Sequence, residues 1–279
     1  MPTIEVEGAL LFCRRDGSGT PVVMVHSTAC SSSQWDRTSE ILAADHEVIC
    51  PDLYGHGRSP AWPGHRAITL RDEAAVVLAA MRMVLGPVHL VGHSYGGAVA
   101  LKAATECRRK VATLTIVEPA AFFLLRDAGG SDDRLADEIG DVARAVVAGL
   151  TSGARSEGMR RFVDYWNGEG AWSAMPEERR AALASRIEAV ALNFAAVAAE
   201  RTRLPELRQL DCPTLIVRGD RSPATTQRIS GMLAAVLPEA RAETVADAGH
   251  MLPLTHREAF EALLFDHIGR QPVSRRAAA

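Results

Sequence analysis

The stretch Val88-His89-Leu90-Val91-Gly92-His93-Ser94-Tyr95-Gly96 decides the fold. Val88–Val91 is a short continuous apolar run, the signature of a strand buried on both faces. From Tyr95 to Arg109 the spacing predicts an Ala-rich helix. Arg108, Arg109 and Lys110 lie in its last turn, where cations suit the helix dipole. Between strand and helix stands Ser94, with a glycine two residues away on each side. A serine at so sharp a turn has strained dihedrals, and Gly92 and Gly96 remove the Cβ atoms that would crowd it. Its Oγ is then raised above the carboxyl edge of the sheet, near the positive end of the following helix. Ser94 is therefore a candidate nucleophile.

The same strand pattern recurs on both sides of this segment. Pro21–Val25, Glu47–Pro51, Val111–Val117, Pro213–Val217 and Ala240–Val245 read as strands, and Ile4–Arg14 as a strand pair. Helical spacing runs from Thr69 to Leu85, from beyond Pro213–Val217 to about Leu237, and from Thr255 to Ile268. Strands alternating with helices predict an α/β fold with a mostly parallel central sheet and helices on both faces. The rhythm breaks between Pro119 and Pro205, where the pattern is helical with Gly-rich joints. The expected organisation is a core of residues 1–118 and 206–279 with a helical cap of residues 119–205 inserted above the sheet. The tail from Gln271 to Ala279 reads as frayed.

Composition narrows the function. Lys plus Arg is 31 and Asp plus Glu 34, a net charge of −3. This gives no general attraction for nucleic acid or an anionic membrane. No run approaches the roughly 20 apolar residues of a membrane-spanning helix, and the N-terminus lacks a signal-peptide pattern. Five scattered cysteines without a Cys-x-x-Cys pair point to a reducing, cytoplasmic setting rather than to disulfides or zinc. The first buried strand leads into His26-Ser27-Thr28-Ala29, with no Gly-x-Gly-x-x-Gly, and no phosphate-binding loop occurs elsewhere. No cofactor or metal is implied.

Four segments in order carry a resemblance. They are His26–Trp35, Asp52-Leu53-Tyr54-Gly55-His56-Gly57-Arg58-Ser59, Gly92–Gly96 and Ala248-Gly249-His250. Over about residues 20–265 the chain resembles the α/β-hydrolase superfamily, in its serine esterase and haloperoxidase-like branch. Ser27 departs from the family's usual glycine. The resemblance implies that His250 is the base, since the family's chain order is Ser, acid, His. A serine hydroxyl needs such a base to take its proton.

The acid is open at this point. The family usually places it three residues after the glycine that ends the strand Pro213–Val217. Here that glycine is Gly219 and the third residue on is Ser222. A neutral hydroxyl does not stabilise an imidazolium as a carboxylate does. Glu118, at the end of Val111–Val117, and Asp220 are the two substitutes, with Glu118 favoured because it is longer and lies at a carboxyl edge. Some family members, haloalkane dehalogenases among them, take their acid from that earlier strand.

The family pattern further assigns the oxyanion hole to the backbone N–H groups of Thr28 and Tyr95. Half of the chain's 14 aromatic residues fall within 119–205. Most would glue the cap helices together, but a cap over Ser94 also needs an apolar underside. Trp35, Phe122 and Phe123 are the pocket candidates. The expected reaction is cleavage of a small to medium carboxylic ester, thioester or lactone through an acyl-Ser94 intermediate. The expected partner is thus a small-molecule substrate with an apolar group. The same residues suit carbon–carbon bond hydrolysis or a cofactor-free perhydrolase. A displaced acid also leaves room for a catalytically weak ligand-binding protein.

Overall fold

A computed structural model describes residues 3–128 and 130–269. The expected frayed tail lies outside these residues. The strands are β1 (Thr3–Val6), β2 (Ala9–Gly17), β3 (Thr20–Val25), β4 (His46–Pro51), β5 (Val88–His93), β6 (Val111–Val117), β7 (Thr214–Gly219) and β8 (Ala240–Val245). They form one eight-stranded sheet in the order β1-β2-β4-β3-β5-β6-β7-β8. β1 and β2 are an antiparallel hairpin and β2 pairs antiparallel with β4, while every later pair is parallel.

The helices are α1 (Asp36–Leu42), α2 (Leu70–Arg82), α3 (Tyr95–Glu106), α4 (Phe123–Ala128), α5 (Asp133–Thr151), α6 (Arg155–Asn167), α7 (Glu177–Ala184), α8 (Ile187–Ala199), α9 (Leu204–Leu207), α10 (Ala224–Val236), α11 (Leu252–Thr255) and α12 (Arg257–Gly269). One boundary and one unread helix stand out against the sequence reading. The helix after Ser94 stops at Glu106, because Cys107 leaves helical dihedrals (φ −138°, ψ 55°) and the basic triplet forms a separate 3-10 turn. α1 is absent from the sequence reading, since its seven residues offer only one large apolar side chain to the core, Leu42.

Alternation along the strands divides the core in two. Val23 and Val25 face the layer of α2, α3 and α10, whereas Val22 and Met24 face the layer of α1 and α12. Both faces are covered, which is why the strands read as unbroken apolar runs. Helices α4 to α9 all fall between β6 and β7. They hold a small core of their own, with Val146, Met159, Val163, Trp172, Ile187 and Val190 buried together. The helical segment meets the loop that leaves the carboxyl end of β3, through Arg186 on the Ala29 carbonyl and Asn193 on the Thr28 hydroxyl; this is the edge at which open α/β sheets place their ligands. No single helix among the described residues is long and apolar enough to cross a membrane.

Candidate active site

The site is built from loops that leave adjacent strands at that edge. Ser94 follows β5 with φ 55° and ψ −117°, a conformation that a residue with a Cβ rarely adopts. Its glycine neighbours are required by contact. A Cβ on Gly92 would lie 2.3 Å from the Gly96 carbonyl oxygen, and one on Gly96 would lie 2.3 Å from that of His26. Glu118 follows β6 and is also at positive φ, 49°. His250 comes from the loop after β8. That loop is drawn against the end of β7, where a Cβ on Gly219 would meet the Ala248 oxygen at 2.0 Å.

These turns bring three side chains into line. Ser94 Oγ lies 2.9 Å from His250 Nε2, and His250 Nδ1 lies 3.0 Å from Glu118 Oε2. A carboxylate only accepts, so Nδ1 carries the hydrogen and Nε2 is the acceptor for the serine hydroxyl. The second Glu118 oxygen accepts from the Gly219 N–H at 2.7 Å, so both oxygens are held. All three residues are buried, Glu118 completely. Burial by itself raises a carboxyl pKa. Here the His250 hydrogen bond and charge, the Ser222 hydroxyl and the Gly219 N–H together outweigh it and hold Glu118 below its usual value. Its surroundings thus favour the ionised form of Glu118 although it is buried.

Of the two acids weighed from sequence, only Glu118 meets His250. Asp220 is exposed, and its backbone donates to the Val245 carbonyl and accepts from Gln227 Nε2. The short Asp220 side chain follows the glycine that ends β7 directly, and the loop turns it to solvent. Ser222, at the position where the family usually has its acid, is buried and faces the Glu118 carboxylate.

The loop after β3 is fixed by its own polar groups. His26 donates from Nδ1 to the Ser27 carbonyl (2.8 Å) and accepts at Nε2 from the Leu53 N–H (3.1 Å). Burial lowers its pKa, consistent with the neutral ring that this pairing needs. Asp52 accepts from the N–H groups of Ser32 (2.6 Å) and Arg58 (2.8 Å), tying the two loops together. Gly57 is required there, because a Cβ would fall 2.0 Å from Asp52 Oδ2. Ser27 fits in place of glycine without positive φ, and its N–H and hydroxyl both donate to Gln34 Oε1, at 3.0 and 2.9 Å. Thr28 and Tyr95 face Ser94 across a small pocket. Tyr95 opens α3, so its N–H has no acceptor within the helix.

The pocket candidates separate. Phe122 lines the pocket at Ser94. Phe123 lines an adjoining cavity instead. Trp35 lines neither: it is fully buried below the loop, against Phe260 with ring centroids 5.9 Å apart. The 3-10 turn Ser32–Trp35 directs this side chain into the layer of α1 and α12, away from the pocket.

Four contacts escape the sequence reading. Trp166 lies flat on His250, with ring centroids 4.1 Å apart and an interplanar angle of 25°. Asn193 accepts from the Thr28 hydroxyl at 2.9 Å and so docks α8 onto the loop after β3. A lone buried amide in the apolar run of α8 is a signal that the sequence does carry. His93 sits 2.8 Å from the backbone oxygen of His250 through Nε2, and Gln34 Nε2 sits 3.1 Å from His93 Nδ1. Burial, then the neighbouring His250, pushes the His93 pKa down to about 3, so the ring is neutral. A carbonyl accepts, so Nε2 carries the hydrogen and Nδ1 accepts from Gln34. A directed chain of hydrogen bonds thus runs from Ser27 through Gln34 and His93 to the His250 backbone. Among the described residues no cluster of His, Cys, Asp and Glu could hold a metal ion.

The model of the alpha/beta hydrolase family matches residues 22–263. The chain belongs to the alpha/beta hydrolase family, and it is an enzyme, a hydrolase. A pimeloyl acyl-carrier protein methyl ester esterase from Chromobacterium violaceum is 28% identical over 94% of this chain and 99% of its own length. An esterase from Thermogutta terrifontis, solved with malate bound, superposes with TM-score 0.76 at 23% identity, covering 96% of this chain and 98% of its own. An enol-lactonase from Burkholderia xenovorans superposes with TM-score 0.75 at 22% identity, covering 96% and 100%. At these identities the two structures speak to the fold alone.

Proposed function

We propose that the protein is a serine hydrolase that cleaves a small to medium carboxylic ester, thioester or lactone. The observation that carries this is the aligned set Ser94 Oγ, His250 and Glu118, at 2.9 and 3.0 Å in a buried site. Ser94 Oγ attacks the carbonyl carbon as His250 Nε2 takes its proton. Glu118 stabilises the imidazolium so formed and holds its orientation. The Thr28 and Tyr95 N–H groups receive the oxyanion. The tetrahedral adduct collapses, His250 returns the proton to the departing oxygen or sulfur, and Ser94 is left acylated. Water then attacks the acyl-enzyme with His250 again as base. A carboxylate in contact with His250 favours turnover over a protein that only binds.

Helices α4 to α9 act as a cap in this reading, with Phe122, Phe162, Phe194 and Val197 as the apolar walls of the reacting pocket. The methyl ester esterase named above makes ester carbonyls the first substrates to try. All five cysteines are free, which suits a reducing cytoplasm. The test is covalent labelling with a fluorophosphonate. Stoichiometric label on the parent chain and none on Ser94→Ala is expected; a parent chain that takes no label removes the proposal.

A further inference from the structure

The pocket at Ser94 is small, about 20 Å³, close to the room one water molecule needs. An acyl group of any length must go elsewhere. A second cavity of about 90 Å³ adjoins it, and Phe122, Phe194 and Val197 line both. Phe122 and Phe194 stand as a near-parallel pair, ring centroids 6.4 Å apart, and form the partition. Beyond it the cavity walls are apolar, with Ile139 from α5 and Phe123 from α4. An engineered apolar cavity of about 150 Å³ takes benzene, so this space suits a short alkyl chain.

Direction follows from the chemistry. The leaving group must stay beside His250, which returns its proton. His250 is covered by Trp166, and Phe122 in turn stacks on Trp166 with centroids 6.1 Å apart. Leading away from His250, the aromatic series runs Trp166, Phe122, Phe194 and ends at the second cavity. That path is left for the acyl chain.

The rim of the cavity carries charge. Glu200 is there, but its carboxylate is engaged by Lys102 (3.2 Å), the Thr202 hydroxyl and N–H (2.8 Å each) and the Arg201 N–H (2.9 Å). Arg126 and Arg201 also line the rim, both exposed. Among the described residues neither guanidinium has a carboxylate within ion-pair distance. Two guanidiniums at the mouth of an apolar space fit a carboxylate on the end of a short apolar chain.

We infer that the second cavity is the acyl site and that Arg126 and Arg201 select acyl chains ending in a carboxylate. This rests on the hydrolase reading and specifies its substrate class. The experiment uses p-nitrophenyl esters of butyric, hexanoic and octanoic acids. Each is paired with the p-nitrophenyl monoester of the dicarboxylic acid of the same length, with the uncatalysed rate subtracted. At the best length the parent enzyme should prefer the carboxylate-ended ester by about fivefold or more in kcat/KM. In Arg126→Gln/Arg201→Gln this ratio should fall to about one. In Phe194→Ala the ratio of octanoate to acetate ester should rise severalfold. A parent ratio near one, or a ratio unchanged in the arginine variant, overturns the inference. If Ser94 still takes the fluorophosphonate and turns over the acetate ester, the hydrolase reading survives that result. A Ser94 that takes no label overturns both.

Discussion

Trp166 rests face to face on His250, with 4.1 Å between ring centroids. The contact joins the helical segment to the carboxyl edge of the sheet and covers one face of the proposed base. When His250 takes the serine proton, the indole face lies against a cation, an arrangement worth about 0.5–2 kcal/mol. Trp166→Phe keeps a ring of weaker quadrupole, and kcat on p-nitrophenyl acetate should fall a fewfold. Trp166→Leu should lower it about tenfold. Unchanged kcat in the leucine variant would show the stacking to be packing alone.

The chain from Ser27 through Gln34 and His93 to the His250 backbone holds the loop after β3 and the loop after β8 in register. Gln34→Leu leaves the Ser27 N–H and His93 Nδ1 without partners in a buried place, at a cost of about 1–3 kcal/mol each. Both loops feed the reacting groups, so kcat should drop about tenfold or more while KM changes little. Thermal melting would register the stability loss. A variant that melts lower yet keeps the parent kcat would show that this chain supports the fold only.

Glu73 makes stability fall with pH. It is fully buried, and burial raises its pKa from 4.5 to about 8. Its oxygens meet the Tyr54 N–H and the Tyr95 hydroxyl, both at 3.3 Å. The native state therefore holds a proton that the unfolded chain releases near pH 4.5. The stabilisation is complete below that pH and is lost as pH rises through about 8, with a total on the order of a few kcal/mol. Glu73→Gln cannot ionise. Near pH 9 it should melt roughly 5 °C or more above the parent, with the gap closing toward pH 5. Parallel melting curves across that range would contradict the argument.

How much was legible in the sequence depended on how local each feature is. Ser94 and the parallel sheet are written in one strand–turn–helix segment, where two glycines meet a steric demand that the backbone itself imposes. The choice between Glu118 and Asp220 is a matter of distance across the sheet edge, and single-residue position in sequence carries no such distance. Asp220 lies nearer the family's usual position along the chain, yet its loop turns it to solvent. Trp35 sits in the loop that shapes the oxyanion side, but a 3-10 turn sends it into the core. Trp166 is one of seven aromatics in the helical segment, and nothing in its spacing distinguishes it from Trp172, which packs within that segment's own core. Gln34 carries no sequence signal, because its role exists only when three separate loops meet.

Our proposal is that Glu118 is the acid that serves His250. It is tested by steady-state hydrolysis of p-nitrophenyl acetate by Glu118→Gln and Asp220→Asn, with melting curves confirming that both variants fold. An amide at position 118 keeps the shape but removes the charge that stabilises the imidazolium. A triad that loses its acid in this way drops about 10⁴-fold in kcat. A loss of at least about 10³-fold is expected for Glu118→Gln and, for the exposed Asp220→Asn, activity within about twofold of the parent. Near-parent activity in Glu118→Gln with a collapse in Asp220→Asn would contradict it.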